Sequence, residues 1–96
     1  MLSSKQRSKL KSIAAKSQAI IQVGKGGISD NLIEAVNDAL YAREIVKISV
    51  LNNSAEEASE LAGQIEALTG AECVHVIGSK IVLYKISDKK GVEHIL

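Results

Sequence analysis

The amino-acid sequence predicts an α/β fold: a compact domain in the order α-β-α-β-α-β-β, with helices packed on a four-stranded mixed sheet. Three observations lead there. Three segments repeat apolar residues at helical spacing behind capping residues, four short runs are rich in β-branched residues, and glycine or asparagine punctuates the joins. Strands joined through helices favour parallel pairing, and a terminal hairpin adds an antiparallel edge.

Ser3 and Gln6 stand at capping-box spacing, and Leu10, Ile13, Ala14 and Ser17 follow as a narrow stripe, so the first element is a helix with a broad basic face. Ala19 to Val23 is a β-branched run ended by Gly24, hence a buried strand. Gly24-Lys25-Gly26-Gly27 forms a tight loop. Ser29 or Asp30 then caps a helix whose Leu32, Ile33, Val36 and Leu40 share one side, with Ile28 as a hydrophobic staple. Ile45 to Leu51 is a strand in which Val46, Ile48 and Val50 alternate with Lys47 and Ser49, and Asn52-Asn53 turns the chain. Ser54 with Glu57 predicts a second capping box, ahead of Ala58, Leu61, Ala62, Ile65 and Leu68 at helical spacing, and Gly70 is the expected C-cap. Cys73 to Ile77 and Ile81 to Lys85 read as two strands of a hairpin across Gly78-Ser79-Lys80.

A chain of 96 residues that is 46% hydrophobic suits one domain over 1–96, with its core at about residues 3–86 and a short polar tail. Cys73 is the one cysteine, so neither an internal disulfide nor a metal site of its own is available, and a reducing cytoplasm is the expected compartment. No apolar run approaches the roughly 18 residues of a membrane span. The basic stretch from Met1 to Lys11 lacks the apolar segment of a secretory signal.

The formal net charge of +1 conceals a segregation. Met1 to Ser29 holds Lys5, Arg7, Lys9, Lys11, Lys16 and Lys25 without an acid, whereas Asp30 to Ser79 sets nine acids against Arg43 and Lys47. From Lys80 on, four lysines face Asp88 and Glu93. Such asymmetry points to a polyanionic partner for the basic part, with a solubilising surface as the plainer explanation.

Three glycines around Lys25 let a bulky anion approach backbone N–H groups where a helix begins, and a sharp turn alone needs fewer glycines. The Walker pattern fails at Ala19 and Gly26, and the dinucleotide fingerprint fails at Ser29. His75 and His94 stand apart from any nucleophile, Cys73 suits a small buried hydrophobe, and the i, i+4, i+8 series Asp30, Glu34, Asp38 suits a solvated helix face. No catalytic residue, metal or cofactor is therefore expected. With Tyr41 and Tyr84 the only aromatic residues, base stacking is a minor term, and contacts to phosphate and sugar of a structured RNA fit the lysines and glycines better.

The basic helix with Ser4-Lys5-Gln6 and Leu10, the strand end Val23-Gly24-Lys25-Gly26-Gly27, the helix end Ala39-Leu40, the run Arg43 to Ile48, and Val76-Ile77-Gly78 with Ile81 to Lys85 together resemble the CRM domain (chloroplast RNA splicing and ribosome maturation). The free-standing bacterial YhbY-type proteins are similar over about Leu2 to Lys85. The resemblance implies a fold similar to the C-terminal domain of bacterial translation initiation factor three. It also implies RNA binding within large-ribosomal-subunit precursors in bacteria, or on intron RNA in plant organelles. It places the family's G-x-x-G loop at Gly24, Lys25, Gly26 and Gly27, and its basic first helix at Lys5, Arg7, Lys9 and Lys11; Lys16 extends that basic set. The chain lacks the proline before the first strand and the histidine in the first helix that members often carry. KH domains also have a G-x-x-G loop, but there it joins two helices. The expected protein is thus a monomeric cytoplasmic RNA-binding factor of ribosome assembly. A phosphate-ligand or nucleotide-binding module is the alternative, and an adaptor that binds protein through its acidic helices is a third reading.

Overall fold

The computed structural model describes residues 2–54, 56–91 and 94–96. Met1 and Glu93, counted in the charge pattern, lie outside them. The elements follow the expected order: α1 (Ser4–Ala15), β1 (Ile21–Val23), α2 (Asp30–Arg43), β2 (Ile45–Val50), α3 (Ala58–Thr69), β3 (Glu72–Ile77) and β4 (Lys80–Tyr84).

Local chemistry explains most boundaries. Ser3 caps α1 in a complete capping box, with the Gln6 N–H donating to Ser3 Oγ at 3.1 Å and the Ser3 N–H donating to Gln6 Oε1 at 3.0 Å. Ser29 caps α2, accepting from the Leu32 N–H, so Asp30 is the first helical residue. Gly70 ends α3 at φ 77, as a C-cap glycine should. The expected capping box of α3 does not form, because Ser54 Oγ donates to the Glu56 carbonyl and accepts from the Glu56 N–H. Glu57 is the N-cap, without a side-chain hydrogen bond. β1 is shorter than its β-branched run, since only Ile21 to Val23 stand in ladder register with β2.

The sheet is mixed, in the order β1-β2-β4-β3. β1 runs parallel to β2, while β4 pairs antiparallel with both β2 and β3. The terminal hairpin is therefore inserted, and β4 lies inside the sheet instead of at its edge. Its composition suits that place: Ile81, Val82 and Leu83 are all buried, as a strand covered on both faces requires. β3 takes the edge, where a bulge between Cys73 and His75 breaks its register.

α2 and α3 cover one face over a core that includes Val36, Leu40, Val46, Ile48, Leu61, Ile65, Ile81 and Leu83. Thr69, not Leu68, completes the inner side of α3: Leu68 is 58% exposed, whereas the buried Thr69 hydroxyl donates to the Ile65 carbonyl. α1 covers the other face, where Leu10 and Ala14 pack on Val74 and Val82, with Leu2 and Ile95 packed against the same cluster. The C-terminal tail is tied to the domain by Glu44, a buried carboxylate at the end of α2. Glu44 accepts from the Ser87 N–H at 2.7 Å, from the Ile95 N–H at 3.0 Å and pairs with His94 Nδ1 at 2.6 Å. Burial alone would raise the Glu44 pKa, but those hydrogen bonds, led by the Ser87 N–H, hold it below the ordinary carboxylate value.

Candidate nucleic-acid interface

The loop after β1 is a hydrogen-bonded turn in which the Gly27 N–H donates to the Gly24 carbonyl at 3.0 Å. Its central residues, Lys25 and Gly26, keep φ outside the left-handed region, as a type I turn requires, and the left-handed position falls on Gly27 at φ 63. The three glycines have different reasons to be there. A Cβ on Gly24 would come to 3.0 Å of Asn53 Oδ1, the tip of an exposed side chain that can yield, so close approach favours glycine there only mildly. Gly27 is required by its φ. Gly26 meets neither demand: nothing lies within 4 Å of where its Cβ would be, and its φ suits any residue. The exposed N–H groups of Lys25 and Gly26 have no hydrogen-bond partner among the described residues. Two successive free donors beside a lysine, where α2 begins, form a site suited to an anion.

On α1, Lys5, Lys9, Lys11 and Lys16 are exposed. At 3.6 residues per turn, Lys5, Lys9 and Lys16 fall within about 40° of one another, and Lys11 lies roughly 120–160° away, on the other side of the buried Leu10 and Ala14. None of the four, nor Lys25, pairs with an acid among the described residues. Lys5 sits in the first turn of α1, where a cation opposes the helix dipole, so helix stability does not account for it.

Arg7 departs from this set. Its Nη1 donates to the carbonyls of Cys73 at 2.9 Å and Val74 at 2.8 Å, and its Nη2 pairs with Glu72 Oε2 at 3.0 Å. The guanidinium thus holds α1 onto the bulge of β3. Lys47 is also engaged, donating to the Ala14 carbonyl at 3.2 Å and the Ser17 carbonyl at 3.3 Å, where it satisfies the end of α1.

Strand register relates loop and helix. The chain reaches the level of Lys47 at Ile20, whose N–H donates to the Lys47 carbonyl, and the loop begins after Val23, which pairs with Val50. Three residues of strand, about 10 Å, separate those levels. Sequence reasoning missed one cation at this end: Lys80 pairs with Ser49 across β2 and β4, on the face that α1 occupies. The alternation of Lys80, Val82 and Tyr84 against Ile81 and Leu83 was the available signal.

Glu72 of β3 lies against α1, held by Arg7, but the exposed acids of the other two helices lie elsewhere. Asp30, Glu34 and Asp38 are exposed on α2 and Glu60 on α3, across the sheet from α1. A cleft of about 860 Å³, lined by Asn37, Tyr41, Leu68, Lys85 and His94 among others, sits toward the far end of α2 from the loop. Burial first, and the Glu66 charge next, push the Cys73 thiol up, which makes it a weak nucleophile at neutral pH. Among the described residues no group of three or more His, Cys, Asp or Glu could hold a metal ion, and no helix is long and apolar enough to cross a membrane.

Comparison with known proteins agrees with this architecture. The chain is 43% identical over 94 residues to the Bacillus subtilis "probable RNA-binding protein YqeI", covering 97% of this chain and 98% of that one. It is 27% identical over 92 residues to a Haemophilus influenzae protein named "RNA-binding protein", covering 96% and 93% of the two chains. The solution structure of a Staphylococcus aureus protein superposes with a TM-score of 0.77 at 41% identity, covering 97% of this chain and 98% of that one. Residues 2–85 match the CRS1 / YhbY (CRM) domain, and the chain belongs to that family.

Proposed function

We propose that this protein binds RNA, and that its target is structured ribosomal RNA during assembly of the large ribosomal subunit. One observation carries the reading. Exposed lysines without acidic partners, at Lys5, Lys9, Lys11, Lys16 and Lys25, share one side of the sheet and its end with the free N–H groups of the glycine loop. The names of the Bacillus and Haemophilus relatives support RNA as the polyanion. The ribosomal target follows from the family resemblance.

Gly24 to Gly27 receive a phosphate, Lys25 adds a mobile charge beside it, and the lysines of α1 run along the neighbouring backbone. Arg7 acts at one remove, by fixing α1 on β3. With few aromatic residues, recognition rests on the shape and backbone of the RNA more than on base sequence. The protein works as a single-domain, cytoplasmic monomer that carries out no chemistry on the RNA.

A gel-shift titration with large-subunit ribosomal RNA tests this. The double variant Lys25→Asp with Gly26→Asp should lose binding while unfolding at the same temperature as the wild type. Affinity should fall steeply with salt, with a log–log slope of about −4 if five lysines each neutralise a phosphate. Undiminished binding by the double variant, or a slope near zero, refutes the proposal.

A further inference from the structure

Between the end of α1 and the glycine loop, one row of side chains crosses all four strands on the face that α1 occupies. Gln22 pairs with Ser49, Ser49 with Lys80, and Lys80 with Ile77. The next row, Lys47 and Val82 with His75, lies at the level α1 reaches: Val82 is buried beneath it, and Lys47 Nζ bonds its last turn. The Gln22 row is not covered in the same way. Gln22 is exposed, Ile77 is 61% exposed, and Lys80 is partly exposed. At about 4.8 Å per strand the row is roughly 14 Å long.

Its chemistry is directional. Ser49 is only 8% exposed, and its hydroxyl accepts from Lys80 Nζ at 2.7 Å, which holds the ammonium over the middle of the sheet. An ammonium has three donors, so that bond leaves two for a ligand. No acid pairs with Lys80 among the described residues, and the row itself contains none. Gln22 offers both a donor and an acceptor from the strand that feeds the glycine loop, and Ile77 closes the far end with an apolar side chain. A ribose hydroxyl also donates and accepts, and it is the group that separates RNA from DNA.

We propose that this row is a second contact surface for the RNA, carrying the sugar–phosphate backbone of one strand between α1 and the loop. Lys80 binds a phosphate, and the Gln22 amide binds a ribose 2′-hydroxyl. The proposal rests on the RNA-binding reading above. Charge complementarity and continuity with the Lys25 loop select a polyanion as the occupant.

The test compares a stem-loop fragment of large-subunit ribosomal RNA with its all-2′-deoxy counterpart, using the full chain. Lys80→Gln should weaken RNA binding about tenfold and reduce the salt slope by about one, while Lys80→Arg retains most of the affinity. Gln22→Ala should weaken RNA binding about fivefold and leave binding of the deoxy counterpart unchanged. Lys90→Gln, an exposed lysine outside the row, should change nothing. Equal losses in Lys80→Gln and Lys80→Arg, or equal effects of Gln22→Ala on both nucleic acids, overturn the assignment. If the row variants are silent while the Lys25 and Gly26 double variant loses binding, the row is wrong and the loop reading stands. If all are silent, both fall.

Discussion

Substituting the loop glycines one at a time by alanine separates what the fold needs from what a ligand needs. Gly26→Ala adds a methyl group into open space at an unstrained φ, so the folded state loses nothing. The unfolded chain becomes stiffer, and stability should hold or rise by up to about 1 kcal/mol. Gly27→Ala must place a Cβ at φ 63, which costs about 1–2 kcal/mol and should lower the melting temperature by roughly 4–16 °C. Gly24→Ala meets Asn53 Oδ1 at 3.0 Å and Leu51 Cδ1 at 3.3 Å, but both are side-chain tips of exposed residues that can yield, so its cost is about 0.5 kcal/mol. Binding should rank differently. If a phosphate oxygen accepts from the Gly26 N–H, the added methyl group crowds that approach. Losing one charge-assisted hydrogen bond, about 1.5–3 kcal/mol, lowers affinity some 10- to 150-fold. Differential scanning calorimetry and gel shift on the same samples give both quantities. A Gly26→Ala protein that melts no lower than the wild type and binds ribosomal RNA equally well would falsify the role given to the loop.

The buried Glu44 and the half-exposed Arg7 yield two structural predictions. Glu44→Gln replaces one of two accepting oxygens with an NH2 group that faces a backbone N–H of Ser87 or Ile95, so about 3 kcal/mol and roughly 10–20 °C of melting temperature should be lost. Because the folded pKa of Glu44 is depressed, its contribution is complete above the ordinary value of 4.5 and disappears as pH falls through the lower folded value. The variant should therefore show a flatter acid limb in a stability-against-pH curve, and an unchanged limb refutes that assignment. Arg7→Met should cost about 1–2 kcal/mol in urea unfolding by releasing the Cys73 and Val74 carbonyls, whereas Lys9→Met should leave stability within about 0.5 kcal/mol and weaken RNA binding instead. Equal stability of the two variants would show that Arg7 is not a clamp.

Local signals in the sequence proved legible where the chemistry is local. Ser3 with Gln6, Ser29 and Gly70 each act within a few residues, and each defines its boundary as read, whereas the hairpin connection at Gly78 is one residue shorter than read because Lys80 pairs with Ile77 as the first residue of β4. What escaped depends on distant partners. The place of β4 between β2 and β3 is a matter of strand order, which periodicity does not encode, although three consecutive buried aliphatic residues hinted at a central strand. Arg7 looked like one more cation of a basic helix until the β3 bulge supplied two carbonyls for it. Ser54 and Glu57 have capping-box spacing, but the Ser54 hydroxyl is spent on the Glu56 backbone. The polar tail looked like a free end because nothing near it in sequence reveals Glu44 as its anchor. The Gln22 row is likewise visible only once three strand registers are known.

The sheet turns the charge segregation along the chain into a segregation in space. α1, with its unpaired lysines, lies on one face; α2 and α3, which carry Asp30, Glu34, Asp38 and Glu60, lie on the other. A protein whose formal charge is only +1 would have little net attraction for a polyanion if its charges were mixed. Separated by the sheet and the helix layers packed on it, a distance greater than the roughly 8 Å Debye length in physiological salt, the two faces present fields that screening does not merge. An approaching RNA is drawn to the α1 side and turned away from the acidic helices, so the field that steers it also selects a single docking orientation. The open row and the glycine loop lie at the end of that favoured side, where a backbone following the lysines of α1 would next arrive.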